Sequence, residues 1–539
     1  MDIVEKLKIK IANSLAKLGH EVTLDDIIIE KSKEEMHGDY ASNVAMKLSR
    51  LFAKPPRAVA KLIIDNIDLT DITKIEIAGP GFINFFMEHD SLQAIVKKII
   101  REDEQFGRFP RKNIKVNVEF VSANPTGPLH VGTARGAAIG DSVCRILDCA
   151  GYDVTREYYI NDAGSQITNL ALSIQARYKE AFGLKGDIPE DGYEGQDIIE
   201  IAQVIKDEIG DAALTMDNPI TYFEQKGIKI ELDRIIEDLT NFRVKFDVFS
   251  SEKAIRDNDA IEKEIAALKG YVYEEEGALF LRTTAFLDDK DRVIKKSNGD
   301  YTYFMPDICY HVDKMSRGFD QLIDVLGADH HGYVNRMKSA LMMHGYSEDV
   351  LHIELIQMVR FIKDGQEFKA SKRKGDAITL RDVCEEVGVD AMRYFFAMRA
   401  ASTHLDFDMN LAIEQSANNP VYYAQYAHAR LCSILEQGKD LSIDESGQKL
   451  VEPAEISLLK HLASFVYVIS DAAKEKAPFK ITNYIRSLAE LVHVFYNECR
   501  VIDRDNPLLS GSRLALVMAS KIVLKNSLAL IGVSAPAHM

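Results

Sequence analysis

The 539-residue sequence has six cysteines and no C-x-x-C pair among them, which argues against both a zinc ribbon and a disulfide framework. It contains no run of about 18 apolar residues, the length a membrane-spanning helix needs. The first ten residues, MDIVEKLKIK, alternate charged and apolar groups and lack the apolar stretch of a signal peptide. Internal repeats and low-complexity tracts are also missing. Positive charge is scarce: 66 Lys and Arg stand against 83 Asp and Glu, a net −17. Taken whole, that argues against a nucleic-acid partner, because phosphate binding needs cations on the contact surface. A cytoplasmic protein with reduced cysteines and no membrane association is expected.

What is present changes the charge argument. From Leu411 to Met539 there are 13 basic and 13 acidic residues, so the excess acid lies entirely in residues 1–410. From Ile456 onward 10 basic residues outnumber 6 acidic ones, a local surplus that fits either a polyanion or a solvated helical surface. Length and a 46% hydrophobic content predict several domains with buried cores. Residues 1–105 read as a first, α+β unit, with helical patterns near 2–19, 41–53 and 57–66. A strand-like KIEIAGPGFINFFM follows, interrupted by Gly79-Pro80-Gly81 as a turn or bulge. Residues 106–410 form the second unit. In KVNVEFVSA, Val116, Val118 and Phe120 alternate with Asn117, Glu119 and Val121, the pattern of a half-buried strand with Glu119 on its more polar face. A helix to about Ala150, capped by Gly151, comes next. About 160–300 reads as a mostly helical, acidic insertion, after which QLIDVLGAD, a helix and LHIELIQMVRF restore the order of a parallel sheet. Residues 411–539 read as all-helical, with Arg513, Lys521 and Lys525 spaced to share one helix face.

Two segments carry chemistry. NPTGPLHVGTARGAAIG places His130, Val131 and Gly132 at the start of a helix, with Gly132, Gly136 and Gly140 four apart. This is not the G-x-G-x-x-G of a dinucleotide fold. Glycines on one face suit close helix packing, whereas the helix N-terminus with His130 before it suits a phosphate. EFKASKRKGDAITLRD crowds Lys369, Lys372, Arg373 and Lys374 around Ser371. Such a loop is either solvated or closes over a triphosphate and neutralises the leaving pyrophosphate.

This pair resembles the signature pair of class I aminoacyl-tRNA synthetases, a His-x-Gly-His turn and a Lys-Met-Ser-Lys loop. Thr133 stands at the second histidine and Ala370 at the methionine. VEFVSANPTGPLHVG, YINDAGSQITNLALS, YFMPDICYHVDKMSRGFD, GADHHGYVNRMKSAL and THLDFDMNLA resemble the catalytic domain of the arginyl-tRNA synthetases. HGDYASNVAMKLS and IAGPGFINF are similar to that family's N-terminal tRNA-elbow domain, and NNPVYYAQYAHARLCSI, FYNECRVI and GVSAPAHM to its helical anticodon-binding domain. The resemblance implies an α/β, Rossmann-like catalytic domain. It also implies two-step ligation of L-arginine to tRNA(Arg), with ATP as substrate, Mg²⁺ accompanying ATP, no dedicated metal site, and a monomer.

The resemblance also implies roles for individual residues. His130, Gly132, Thr133, Lys369, Ser371 and Lys372 would act on the phosphates. Glu119, Ser122, Asn124, Tyr303, Asp307 and His330 would bind arginine, whose planar guanidinium suits paired carboxylates and a flat ring. ATP would lie along Ala123, Pro125, Thr126, Gly127, Pro128, Leu129, His130, Val131, Gly132 and Thr133, with Asp329, Met358, Val359 and Lys372. Tyr422, Tyr426, Arg430, Lys521 and Lys525 would meet tRNA. Read without the resemblance, Glu119 is a solvent-facing strand residue, Asp307 a first-turn acid after Pro306, Ser122 and Asn124 a strand end and an Asx turn, Met358 and Val359 buried strand packing, and the tyrosines helix core. The adjacent His330 and His331 cannot readily present both rings to one ion, so no zinc site is expected beside Asp329.

Overall fold

The computed structural model describes residues 3–32, 38–87, 89–257, 259–368 and 378–539. Its centre is a five-stranded, wholly parallel sheet in the order Leu351–Ile356, Gln321–Gly327, Lys115–Glu119, Asp153–Ile160, Val248–Ser251. Lys115–Glu119 is its middle strand and is covered on both faces, as parallel sheets require. Asn117 and Glu119 are accordingly buried beside Val116 and Val118, so the half-exposed strand expected from the alternation does not occur. The alternation instead separates two buried faces, one apolar and one polar. Val248–Ser251 lies inside the stretch expected as an insertion, and three antiparallel strands, Val272–Glu275, Ala278–Leu281 and Arg292–Lys295, follow it. The helices foreseen there lie mainly in Ser165–Asn241, packed around a core of Leu170, Ile174, Ile198, Ile201, Ile205 and Phe223, with two short ones at Glu252–Asp257 and Ala260–Ala267.

LHIELIQMVRF also divides. Leu351–Ile356 joins the main sheet, whereas Val359–Lys363 pairs in parallel with Leu405–Asp408 and antiparallel with Gln366–Glu367. Gln357 and Met358 bridge the two sheets.

The helix Ala134–Cys149 runs back under the sheet from the carboxyl ends of its strands. Its small residues allow close approach: a Cβ on Gly140 would lie 2.4 Å from the Phe120 ring, while one on Gly136 would meet nothing within 4 Å. The expected packing role therefore falls to Gly140, not to all three glycines. Gly151, at φ +90°, follows the helix as anticipated and donates to the Asp148 carbonyl.

The N-terminal unit is an antiparallel sheet in the order Ile29–Lys31, Tyr40–Ser42, Phe82–Met87, Ile72–Ala78, covered by Ile3–Lys17, Val44–Leu48 and Pro56–Asn66. Gly79–Gly81 turns a hairpin there, and the helix expected over 41–53 shortens because Tyr40–Ser42 is a strand. The C-terminal unit is five helices, Pro420–Gln437, Pro453–Ala463, Phe465–Glu475, Phe479–Glu498 and Pro507–Leu530. Pro453–Glu475 and Pro507–Leu530 are long and apolar enough to cross a membrane by length and composition. Their apolar side chains, Leu458, Leu462, Leu516 and Leu524 among them, are packed inside the shared core.

Candidate active site

At the carboxyl end of the middle strand the chain turns sharply: Val121 and Ser122 both have positive φ, 71° and 42°. Two successive non-glycine residues in the left-handed region, one of them β-branched, mark stored backbone strain of the kind found at functional sites. The turn brings Ser122 Oγ back to donate to Glu119 Oε1 at 2.9 Å, while Tyr159 N donates to the same hydroxyl at 3.1 Å. The other carboxylate oxygen, Glu119 Oε2, accepts from Lys314 Nζ at 2.5 Å. Lys314 is fully buried, donates also to Asp324 Oδ1 at 3.0 Å, and sits 4.3 Å from the Tyr310 ring centroid. Burial alone would discharge this lysine, but the charges of Asp324 and Glu119 outweigh it and raise its pKa. Asp324, which burial would raise, is instead held far below the usual carboxylate range by Lys314 and His311. His311 Nε2 lies 2.7 Å from Asp324 Oδ2. A parallel set surrounds Glu157, which accepts from Asn117, Ser250, Tyr310 and Arg317.

Asp307, in the first turn of the helix Phe304–Ser316, faces this network. Burial is the main cause that pushes its carboxyl up to about 6; the Glu119 and Glu252 charges add to it, while His311 and the Tyr333 hydroxyl act against it. Among the described residues no Lys, Arg or His makes an ion pair with Asp307, in contrast to Glu119, Asp324 and Glu157. The pocket thus presents one half-buried carboxyl that makes no ion pair among the described residues. Tyr303 caps the start of the same helix but is 79% exposed. His330 is exposed beside Asp329, at 3.5 Å, and Asn124 Nδ2 donates to Gln166 Oε1 at 2.7 Å. No cluster of three or more His, Cys, Asp or Glu side chains suited to a metal occurs among the described residues.

The His130 turn is fixed from both sides. His130 Nδ1 accepts from Gly132 N at 2.9 Å, and Thr133 Oγ1 donates to the His130 carbonyl at 2.7 Å. Across from it, Val131 N donates to Ile378 O and Leu380 N to Leu129 O, with Thr379 bridging His130. Lys369, Ser371 and Lys372 lie outside the described residues, but the chain immediately beyond them is therefore paired to the turn. Met358 is 76% exposed and Val359 half-buried, so the reading of Met358 as strand core fails. The reason is the gap between the two sheets at Gln357–Met358.

Sequence reasoning missed Arg135, Asp324, His311 and Lys314. Each is a polar residue whose partners are distant in sequence, which alone gives no signal; the one usable hint was that Lys314 stands at helical spacing from Tyr310 and His311 in YFMPDICYHVDKMSRGFD.

In the helical unit, the Tyr422 and Tyr426 rings stack at 6.2 Å, and His493 stacks on Tyr423 at 5.0 Å and on Tyr426 at 6.2 Å. The Arg430 guanidinium lies 4.3 Å from the Tyr496 ring centroid. The basic face expected along Pro507–Leu530 does not form. Arg513 is buried against Glu455 at 2.7 Å, and Lys525 is paired with Glu104 at 2.7 Å, because this helix is the core of the bundle and meets the rest of the chain on several sides. Lys521 is half-buried.

Comparison with known proteins agrees with this arrangement along the whole chain. Residues 5–87 match the family described as arginyl tRNA synthetase N terminal domain, 95–433 that of class I (R) tRNA synthetase catalytic domains, and 424–539 the DALR anticodon binding domain. The arginine–tRNA ligase of Bacillus subtilis (strain 168) is 49% identical over 556 residues, covering 100% of both chains. That of Geobacillus kaustophilus is 50% identical over 551 residues, covering 100% of this chain and 99% of its own. The Thermus thermophilus arginyl-tRNA synthetase structure superposes with a TM-score of 0.77 at 22% identity over 100% of both chains, a likeness of fold. With a buried acidic pocket beside a His-x-Gly turn and matches spanning all three units, the chain belongs to the arginyl-tRNA synthetase family of class I.

Proposed function

We propose that the groups at the carboxyl edge of the parallel sheet charge tRNA(Arg) with L-arginine in two steps. In the first, an oxygen of the arginine carboxylate attacks the α-phosphorus of ATP and the bond to the bridging oxygen breaks, releasing pyrophosphate. In the second, a hydroxyl of the terminal ribose of tRNA attacks the arginyl carbonyl and AMP leaves. No protein nucleophile is involved, so catalysis is positioning and stabilisation of phosphate charge.

Asp307 carries the reading. A half-buried carboxyl that makes no ion pair among the described residues, beside a Glu119 already fixed by Lys314 and Ser122, is suited to receive one cation. The guanidinium enters between Asp307 and Glu119, with Tyr303 closing over it; Ser122, Asn124 and His330 address the α-amino and carboxylate groups. Arginine is chosen over lysine because two carboxylates accept from a planar fork better than from a point charge. ATP lies along Ala123–Thr133, with Met358 and Val359 backing the adenine and Asp329 nearby. His130, the backbone N–H groups around Gly132, and Lys369, Ser371 and Lys372 act on the phosphates. The pairing of residues 378–380 with the turn supports bringing that loop there. Magnesium arrives as the ATP complex, and no step is assigned to a protein-held ion. Tyr422, Tyr426 and Arg430 meet unpaired anticodon bases. Residues 1–105, 106–410 and 411–539 act as the elbow-binding, catalytic and anticodon-binding domains of a cytoplasmic monomer, in which tRNA is required even for the first step.

Aminoacylation of total tRNA with each of the twenty amino acids tests this directly: charging is expected with arginine alone. Arginine-dependent ATP–pyrophosphate exchange at full rate without tRNA would overturn the tRNA requirement.

A further inference from the structure

Arg135 is wholly buried two residues after Thr133, in the first turn of Ala134–Cys149. Its Nη1 donates to the carbonyls of Gln357 at 2.9 Å and Thr403 at 2.7 Å, and its Nη2 to that of Ala400 at 2.9 Å. The other fully or nearly buried arginines are neutralised, Arg393 by Asp141 and Arg513 by Glu455. Arg135 has no carboxylate partner among the described residues, and burial alone lowers its pKa, to about 10. At neutral pH it is a positive charge whose hydrogen-bond partners among the described residues are all carbonyls. A buried unpaired charge is costly, and the place where this one is kept is informative.

All three acceptors belong to the segments that hold Met358. Gln357 precedes it directly; Gln357 N donates to Ala401 O, and Leu405 N to Met358 O. One guanidinium therefore joins the helix that follows the His130 turn to the bridge between the two sheets. Its charge also has the same sign as the helix N-terminus from which it projects, next to a Thr133 hydroxyl that is spent on the His130 carbonyl and carries no charge.

We infer that Arg135 is a positioning residue for ATP: it fixes the distance between the phosphate-side turn and the Met358 segment, and supplies behind the turn the positive charge that Thr133 lacks. The inference rests on the reading of the turn and Met358 as the ATP site.

The test is ATP–pyrophosphate exchange, with tRNA present, on Arg135→Lys and Arg135→Gln, with KM measured separately for ATP and arginine. Lysine keeps the charge without the fork, and glutamine keeps donors without the charge. Arg135→Gln is expected to raise the KM for ATP at least about tenfold, a change of about 1.4 kcal/mol. Arg135→Lys should raise it less, and the KM for arginine should stay within about twofold in both. Adding Thr133→His to Arg135→Gln should recover part of the ATP loss. An unchanged ATP KM, an equal rise for arginine, or failure of even Arg135→Lys to fold would overturn the inference and leave Arg135 a stability residue. The underlying reading fails separately, if His130→Ala retains wild-type exchange.

Discussion

Asp307 and Lys314 make opposite electrostatic demands on the same pocket. Arginine's guanidinium keeps its proton at any accessible pH, so the proposed binding mode requires an ionised Asp307. The free carboxyl, raised to about 6, is protonated below that point, and arginine must then expel the proton. The KM for arginine is expected to be flat above about pH 7 and to rise toward tenfold per pH unit below about 6. Asp307 is faced by Glu119, Glu252, His311 and Tyr333. Burial and the Lys314 charge push the His311 pKa down and Asp324 pushes it up, with a net rise above its ordinary value. Steady-state kinetics from pH 5 to 8 check this, and Asp307→Asn should bind weakly with no such break. Lys314→Met strands Glu119 and Asp324 as buried carboxylates, a loss of about 3–5 kcal/mol in chemical denaturation. Adding Glu119→Gln and Asp324→Asn should return most of it. Glu119 and Asp307 were singled out through the family resemblance; by themselves a strand alternation and a Pro-led first turn read as a solvent-facing strand residue and a first-turn acid. Lys314 and Asp324 were not, because nothing local marks a charge that is paid for by residues as far apart in sequence as Glu119 and Lys314.

At the scale of elements, the helix Ala134–Cys149 shows how equal spacing hides unequal surroundings. Gly132, Gly136 and Gly140 look alike as a series, yet only Gly140 is pressed against Phe120, and Phe120 lies between Glu119 and the strained Val121. Gly140→Ala should cost about 1–3 kcal/mol by overpacking and, through Phe120, should lower arginine affinity as well. Gly136→Ala, in the first helical turn with open space around its new methyl, should stabilise by about 0.4–1 kcal/mol because alanine narrows the unfolded ensemble. Thermal unfolding of the two variants should therefore shift in opposite directions. Strand assignment met a similar limit. The four residues of Val248–Ser251 lie between helices and are too few for a periodic signal. LHIELIQMVRF reads as one run because both of its halves are strands; only the partner strands, Gln321–Gly327 for one and Leu405–Asp408 for the other, divide it.

Across the whole molecule, charge placement decides how a protein of net −17 takes up a polyanion. The C-terminal surplus of cations does not provide a basic face on the last helix. Arg513 is spent inside the bundle on Glu455, and Lys525 on Glu104 just after the helix His89–Glu102, which also packs against Pro507–Leu530. Lys460 likewise meets Asp39 of the N-terminal sheet at 2.6 Å. Lys525 and Lys460 thus pair across units, an outcome invisible in spacing because their partners Glu104 and Asp39 lie hundreds of residues away. The layered rings of Tyr422, Tyr426 and His493 are the surface proposed for recognition in the helical unit. Loss of one stacked base costs about 1–3 kcal/mol, so Tyr426→Ala should raise the KM for tRNA by about tenfold and leave that for arginine unchanged. Lys525→Ala, which removes an exposed ion pair worth about 0–1 kcal/mol, should leave the KM for tRNA within about twofold. A large loss with Lys525→Ala and none with Tyr426→Ala, measured by aminoacylation over a range of tRNA concentrations, would return the anticodon surface to the last helix.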